Sequence, residues 1–462
     1  MFRFGAQSLR DRINDAASFL QAYDVTVSVA GLRHATGLRG NLAELSGRSV
    51  LVATRKQLTA ALALIELAGL ARRLIILPAD VNADHLAAII AAAEIDTVVL
   101  DGDDPPAVRD LPLRVECSPS LTPLAQIPPS DAHTEWVLLT SGTTGAPKMV
   151  NHTLRGLTAA IGEASPADGA AVWATFYDIR RYGGLQIFLR AMLNGASLVL
   201  ADADEPVADH LFRLGRCGVT HLSGTPSHWR RALMNPALKE IAPRYVRLSG
   251  EIADQAILDA LRLAFPSARI GHAYASTEAG VAFDVNDGLA GFPASYVGEV
   301  RNGVEMKVVD DSLTIRSERT ASCYLGRENA LADGEGFVDT GDILERRGDR
   351  YYFVGRKGGI INVGGLKVHP EEIEAVINQH PLVHMSLVQP RHSPITGAIV
   401  SADVVLSGQG DGRHSETKDE ILKNEILSLC RTGLARHKVP ASIQFVSNLA
   451  VAATGKLKRR HG

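Results

Sequence analysis

The chain has 462 residues, 46% of them hydrophobic, enough material for two or three domains with substantial cores. A formal charge of -3 gives no overall electrostatic reason to expect nucleic acid as a partner. The four cysteines, Cys117, Cys217, Cys323 and Cys430, form no C-x-x-C pair, which points to reduced structural thiols rather than disulfides or a metal cluster.

The first residues lack the charged-then-apolar order of a secretory signal, and no uninterrupted apolar run reaches the roughly 18 residues of a membrane span. The expectation is a cytoplasmic protein without membrane insertion. The apolar stretch at 60–74 contains Glu66 and is interrupted by Arg72-Arg73, so it reads as a packed helix.

Residues 49–100 alternate between two patterns. Segments 49–53, 74–77 and 97–100 read as strands, and 57–70 and 83–92 as helices, a rhythm that implies parallel sheet. A similar alternation returns at 197–200 (strand), 210–216 (helix), 219–222 and 245–248 (strands). Beyond residue 300 the pattern changes to short strands and turns, including 305–309 and 351–354. The glycine-rich run at 355–359 then precedes strand-like Ile360-Ile361 and the pair Gly364-Gly365, and Pro370-Glu371-Glu372 suits the first turn of a helix. The predicted class is α/β: a large layered domain over 1–355 and a small α+β domain over 356–462. The stretch 408–417 reads as an exposed loop.

The apolar run Trp136-Val137-Leu138-Leu139 leads into Thr140-Ser141-Gly142-Thr143-Thr144-Gly145-Ala146-Pro147-Lys148. Glycines bring backbone close to an anion, hydroxyls donate to it and a lysine adds charge, so the segment reads as a phosphate loop; an ordinary Ser/Thr/Gly surface loop is the alternative. It is not a Walker A loop, which requires four residues between its first glycine and Gly-Lys-Ser/Thr. In Ala273-Tyr274-Ala275-Ser276-Thr277-Glu278, the tyrosine suits a purine, Thr277 a phosphate and Glu278 a magnesium ion, whose preferred ligands are oxygens. Alone, Glu278 reads equally as a turn residue. Thr340-Gly341-Asp342 presents a carboxylate suited to ribose hydroxyls, or else a plain Asp turn. Arg356 suits ribose or phosphate, or a surface ion pair. Asp178-Ile179-Arg180-Arg181 lies between apolar segments, as a surface turn or a substrate-recognition element. Thr454-Gly455-Lys456 is either part of a charged, frayed terminus or a bend presenting the Lys456 amine. No His-Glu-x-x-His, Gly-x-Ser-x-Gly or protein-kinase pattern is present.

In this order, over roughly residues 130–460, these segments resemble the adenylate-forming superfamily of acyl-CoA synthetases, luciferases and peptide-synthetase adenylation domains. The resemblance implies an AMP-forming acid-thiol ligase with a mobile C-terminal domain, using ATP, Mg2+ and, as second substrate, coenzyme A. It implies catalytic roles for Lys456, Glu278 and Thr140, with Glu278 also holding the metal. Nucleotide contacts fall to Ser141, Gly142, Thr143, Thr144, Gly145, Lys148, Gly250, Glu251, Ala273, Tyr274, Thr277, Asp342 and Arg356, where Gly250-Glu251 borders adenine and the acyl pocket. The hinge position falls at Gly358. Two departures stand out. The part before Thr140 is short for the family, implying an abbreviated N-terminal region that would also suit a homodimer contact. The family's aromatic-histidine pair is replaced near Phe176-Tyr177-Asp178, which turns Asp178, Arg180 and Arg181 into candidate contacts for a small aromatic or polar acid. Alternatives are loading of a carrier-protein phosphopantetheine thiol, a nitrogen acceptor, or an inactive adenylate-binding module.

Overall fold

The computed structural model describes residues 8–13, 17–102, 105–129, 131–140, 147–163, 170–202, 205–327, 330–393, 397–407, 416–452 and 454–459. Ser141, Gly142, Thr143, Thr144, Gly145 and most of the 408–417 loop lie outside these residues.

Two eight-stranded sheets form the frame. One contains, in spatial order, Gly280–Val285, Arg269–Ser276, Tyr245–Ser249, His221–Gly224, Val172–Thr175, Ser197–Val199, Phe19–Gln21 and Thr26–Ser28. The other runs Cys323–Leu325, Lys148–Thr153, Glu135–Thr140, Arg73–Ile76, Ser49–Val52, Thr97–Leu100, Leu113–Pro123 and Ala35–Leu38. Their middles are parallel and their edges antiparallel. The reason is visible in Ser49–Val52, where Val50 and Val52 join one hydrophobic cluster and Leu51 joins another. A strand apolar on both faces needs cover on both faces, which helices joining parallel strands provide.

Helix Gln57–Leu67 and helix Tyr182–Leu193 pack in one core with Leu20 and Leu198 of the first sheet and Val50, Leu74 and Leu138 of the second. Every residue of Gln57–Leu67 is buried, Glu66 included. Glu66 accepts from the Arg10 guanidinium at 2.8 Å, the Gly37 amide at 2.7 Å and the Thr36 hydroxyl. Burial pushes its carboxyl above the usual range while these partners pull it back. No helix among the described residues is long and apolar enough to cross a membrane.

Several boundaries differ from the expected ones. The first helix ends at Leu67, three residues early, ahead of Gly69 at φ +86°. The expected strand at 219–222 is His221–Gly224, because the Val219 amide still closes on the Leu214 carbonyl of helix Val207–Arg216 and Thr220 makes the transition by donating to the Val172 carbonyl. The expected helix at 83–92 begins as a 3-10 turn, Ala83–His85. Beyond the sheets, Val338–Arg347 and Arg350–Arg356 belong to a six-stranded antiparallel sheet. The C-terminal domain has a separate core running from Ile361 to Ile443. It contains the hairpin Ile361–Val363/Leu366–Val368, a three-stranded sheet and helices Pro370–Ile377 and Glu416–Gly433.

Arg10→Ala leaves the Glu66 carboxylate buried without its cation and should cost about 3 kcal/mol. Arg72→Ala, whose partner Glu94 is exposed, should cost less than about 1 kcal/mol. Urea unfolding of both variants checks the contrast.

Candidate active site

Thr140 ends one strand and Lys148 begins its antiparallel partner, in direct register. They are the two feet of the glycine-rich segment. Strand Cys323–Leu325 adds to the same edge, and the Lys148 ammonium lies 5.3 Å from the centre of the Tyr324 ring. The Tyr324 hydroxyl donates to Glu278 at 3.4 Å, so Glu278 sits beside the foot of the loop. A second tie holds it there. Buried His152 on strand Lys148–Thr153 lies with Nε2 2.8 Å from the Thr277 carbonyl. A carbonyl only accepts, so Nε2 carries the proton; Nδ1, buried and without a hydrogen-bond partner, is left bare. Burial lowers this histidine to about 4, so the ring is neutral at pH 7.

Strand Arg269–Ser276 carries Ala273 in the backbone ladder between Ser249 and Asp284. It also directs Tyr274 onto Phe353, with ring centres 4.8 Å apart and planes within 7°. The Tyr274 hydroxyl donates to the Asp342 carboxylate. Arg356 binds the same carboxylate through Nε at 2.9 Å and the Thr340 carbonyl through Nη2 at 3.0 Å. Gly341 takes φ +70°, and the Asp342 amide closes on the Thr340 hydroxyl at 3.1 Å. Three sequence-distant candidates thus meet at one carboxylate. Burial, then Asp342, raise the Tyr274 phenol well above its ordinary value, so it remains a donor.

Lys456 arrives at the same cleft from the last loop. Its Cε lies 3.5 Å from where a Cβ on Gly250 would stand, and Gly250 itself has φ +85°. The side chain is open to the cleft, yet protein surrounds that cleft closely. Desolvation lowers its pKa, Arg356 lowers it further, and Glu251, Asp342 and Glu278 oppose the shift. A lysine, an arginine and three carboxylates therefore share one electrostatic field.

The 178–181 segment behaves differently from expectation. Arg180 is 1% exposed, and its guanidinium is occupied by Asp178 through Nε at 2.8 Å and Nη2 at 2.7 Å. Its Nη1 donates to the Thr54 carbonyl at 2.6 Å and to that of Arg55 at 3.1 Å. Arg181 pairs with Asp80. Neither Asp178 nor Arg180 is a surface turn residue, and four of the five Arg180 N–H groups are already engaged by Asp178 and the Thr54 and Arg55 carbonyls. Instead, a cavity of about 650 Å³ follows the edge strand Gly280–Val285, two residues beyond Glu278. Val281, Phe283, Tyr296 and Met306 give it apolar walls, and Asp284, Arg301 and Arg319 give it charge.

Thr225, Ser227, His228 and Tyr324 were not singled out from sequence. Thr225-Pro226-Ser227-His228 directly follows strand His221–Gly224 and forms a capping box at the start of helix Pro226–Leu233. That placement was a usable signal, since sites in α/β sheets gather at the carboxyl ends of strands.

The AMP-binding enzyme model matches residues 7–324, and the AMP-binding enzyme C-terminal domain model matches residues 372–456. The chain belongs to the AMP-binding enzyme family. Among its relatives is 4-coumarate–CoA ligase 3 of Arabidopsis thaliana, 24% identical over 69% of this chain and 61% of that protein. The chain spans about three fifths of the length of the first curated relatives it matches. In fold, this AMP-binding enzyme is similar to an anthranilate CoA ligase, AuaEII, solved with anthranoyl-AMP, at TM-score 0.76 and 19% identity over 98% of this chain and 96% of that one. It is also similar to the amide bond synthetase McbA of Marinactinospora thermotolerans, at TM-score 0.73 and 20% identity over 97% and 96%.

Burial holds His228 at about 3 as well as His152 at about 4, so both bind protons more readily once unfolded. Stability should therefore fall as pH drops from the ordinary histidine value of about 6.5 toward 4, by up to about 1.4 kcal/mol per pH unit for each ring. His152→Asn keeps a donor for Thr277 and removes the titration. Urea midpoints between pH 7 and pH 4 should show a shallower pH slope for this variant.

Proposed function

We propose that this AMP-binding enzyme joins a small aromatic or polar carboxylic acid to AMP and then transfers the acyl group to the thiol of coenzyme A. The observation that carries this is the meeting of Glu278, Asp342, Arg356 and Lys456 at one cleft, although 178 positions separate the first from the last. An ATP-binding site alone has no need of a lysine delivered by a terminal loop. A site that must offset charge developing between a carboxylate and an α-phosphate does.

In the first half-reaction the acid's oxygen attacks the α-phosphorus and the bond to pyrophosphate breaks. The Thr140 hydroxyl and Lys148 flank the triphosphate, Asp342 accepts from ribose hydroxyls, and Lys456 binds oxygens of the forming acyl phosphate. Catalysis is by positioning and fixed charge, without a protein nucleophile. Magnesium suits Glu278. Among the described residues no three His, Cys, Asp or Glu side chains gather as a metal cage, and Glu278 is a single carboxylate beside a hydroxyl. That donor set fits an ion that keeps phosphate oxygens and waters as its main ligands. When bound, it would supply positive charge against the triphosphate.

In the second half-reaction the thiol sulfur attacks the acyl carbon and AMP leaves. This requires Lys456 to withdraw, with residues 356–462 turning as a unit. Gly358 lies in the turn Lys357–Gly359, with open space around it and no left-handed φ. Its freedom therefore serves motion rather than the present conformation. For the acid, the named substrates of similar proteins, 4-coumarate and anthranilate, support an aryl group, and the cavity's mixed apolar and charged walls suit one.

A panel of carboxylic acids assayed by pyrophosphate release, followed by the best acid with coenzyme A, a carrier protein or an amine, tests the assignment. Product with coenzyme A alone is expected; product only with the carrier protein or the amine would reassign the acceptor, and no acid-dependent release would leave an inactive adenylate-binding module. Lys456→Ala should slow acid-dependent pyrophosphate exchange by several hundredfold, about 3–4 kcal/mol, with ATP binding retained. Gly358→Pro should impair thioester formation more than exchange, as read by the two half-reactions assayed separately.

A further inference from the structure

Lys456 is anchored through the residue on either side of it. The Gly455 carbonyl accepts from the Thr225 hydroxyl at 2.6 Å. The Leu457 amide donates to Glu251 Oε1 at 3.0 Å. Glu251 is itself fixed, since the Ser227 amide donates to its Oε2 at 2.9 Å and the Ser227 hydroxyl to its Oε1 at 3.0 Å. Thr225 and Ser227 are the N-cap and second residue of helix Pro226–Leu233, so one helix start holds both anchors. The seat is also shaped for this loop. Gly455, at φ +75°, packs on His228 so closely that a Cβ would fall 1.8 Å from the ring.

We propose that Glu251 is a positioning residue for Lys456, a strut between helix Pro226–Leu233 and the terminal loop, and not the nucleotide contact expected from its place in the sequence. The proposal rests on Lys456 being the adenylation lysine. Three donors from Ser227 and Leu457 already converge on this carboxylate. A lysine's four-carbon stem is flexible, so the ammonium is only as well placed as the backbone that carries it. The strut is also reversible. If the loop departs, Glu251 loses the Leu457 amide and keeps both bonds from Ser227, so undocking leaves no orphaned carboxylate.

Glu251→Ala, with Thr225→Val as the variant of the other anchor, separates the roles. Pyrophosphate exchange should fall about 10- to 100-fold in kcat with ATP KM within about twofold, the loss typical of a misplaced catalytic group. Thioester formation from supplied acyl-adenylate should be unchanged. In the Lys456→Ala background, Glu251→Ala should add little further loss, because both act through one ammonium. Tryptic cleavage after Lys456 should accelerate in the Glu251→Ala protein whatever its activity. A raised ATP KM with kcat intact would make Glu251 a nucleotide ligand, and equal loss in both half-reactions with a lower Tm would make it merely structural. Unchanged cleavage would remove the strut. Faster cleavage, with exchange indifferent to Lys456→Ala, would instead overturn the adenylation role itself and with it the purpose of the strut.

Discussion

A lysine from the last loop can serve a site assembled by the large domain only if the chain around it is seated there, and that docking is the constraint on which the site depends. Hydrogen bonds hold the contact. Besides the anchors at Gly455 and Leu457, Arg230 donates to the His384 carbonyl at 3.0 Å and pairs with Asp254 at 2.6 Å, while Asn378 donates to the same aspartate at 3.1 Å. A hydrophobic seam of equal size would resist separation. Hydrogen bonds that water can replace permit both docking and release. The adjoining loop is tied back to its own domain by Arg459 on Glu374 at 2.7 Å.

The large domain's contribution is rigidity at the right points. Two sheets buried on both faces hold the strand ends, and from those ends come Thr140, Ser249-Gly250-Glu251 and the Thr225 cap. The antiparallel edge then brings Tyr274 to Phe353 and, through Asp342, to Arg356. Asp342, the proposed ribose acceptor, is held by a phenol and a guanidinium. A carboxylate fixed in this way loses little freedom on binding, which favours tight orientation of the nucleotide.

The layered frame was legible because runs such as Val50-Leu51-Val52 carry the two-faced burial of parallel strands in their composition. The candidate site was read as separate phosphate, ribose and lysine signals, of which the ribose and lysine ones gained weight only when taken in order. What sequence alone missed has a common cause. Arg180 read as a surface-turn or substrate-recognition residue, yet Asp178 and the Thr54 and Arg55 carbonyls hold it in a buried position, and partners from another element leave no local trace. The bond from the Leu457 amide to Glu251 also left no trace, because it spans 206 positions. His152 and Thr277 are similarly joined only by the fold. The strand expected at 219–222 starts two residues later because the Val219 amide closes the preceding helix on Leu214, a bond the strand-like composition does not reveal.

The most direct test of the account is a crystal structure of the protein with the acyl-sulfamoyl adenosine analogue of its best acid. The account predicts ribose hydroxyls on Asp342, the Lys456 ammonium on the oxygens that replace the acyl phosphate, and the Leu457 amide still on Glu251. An analogue bound away from Asp342, or bound there with residues 454–457 undocked and Lys456 out of reach, would contradict it.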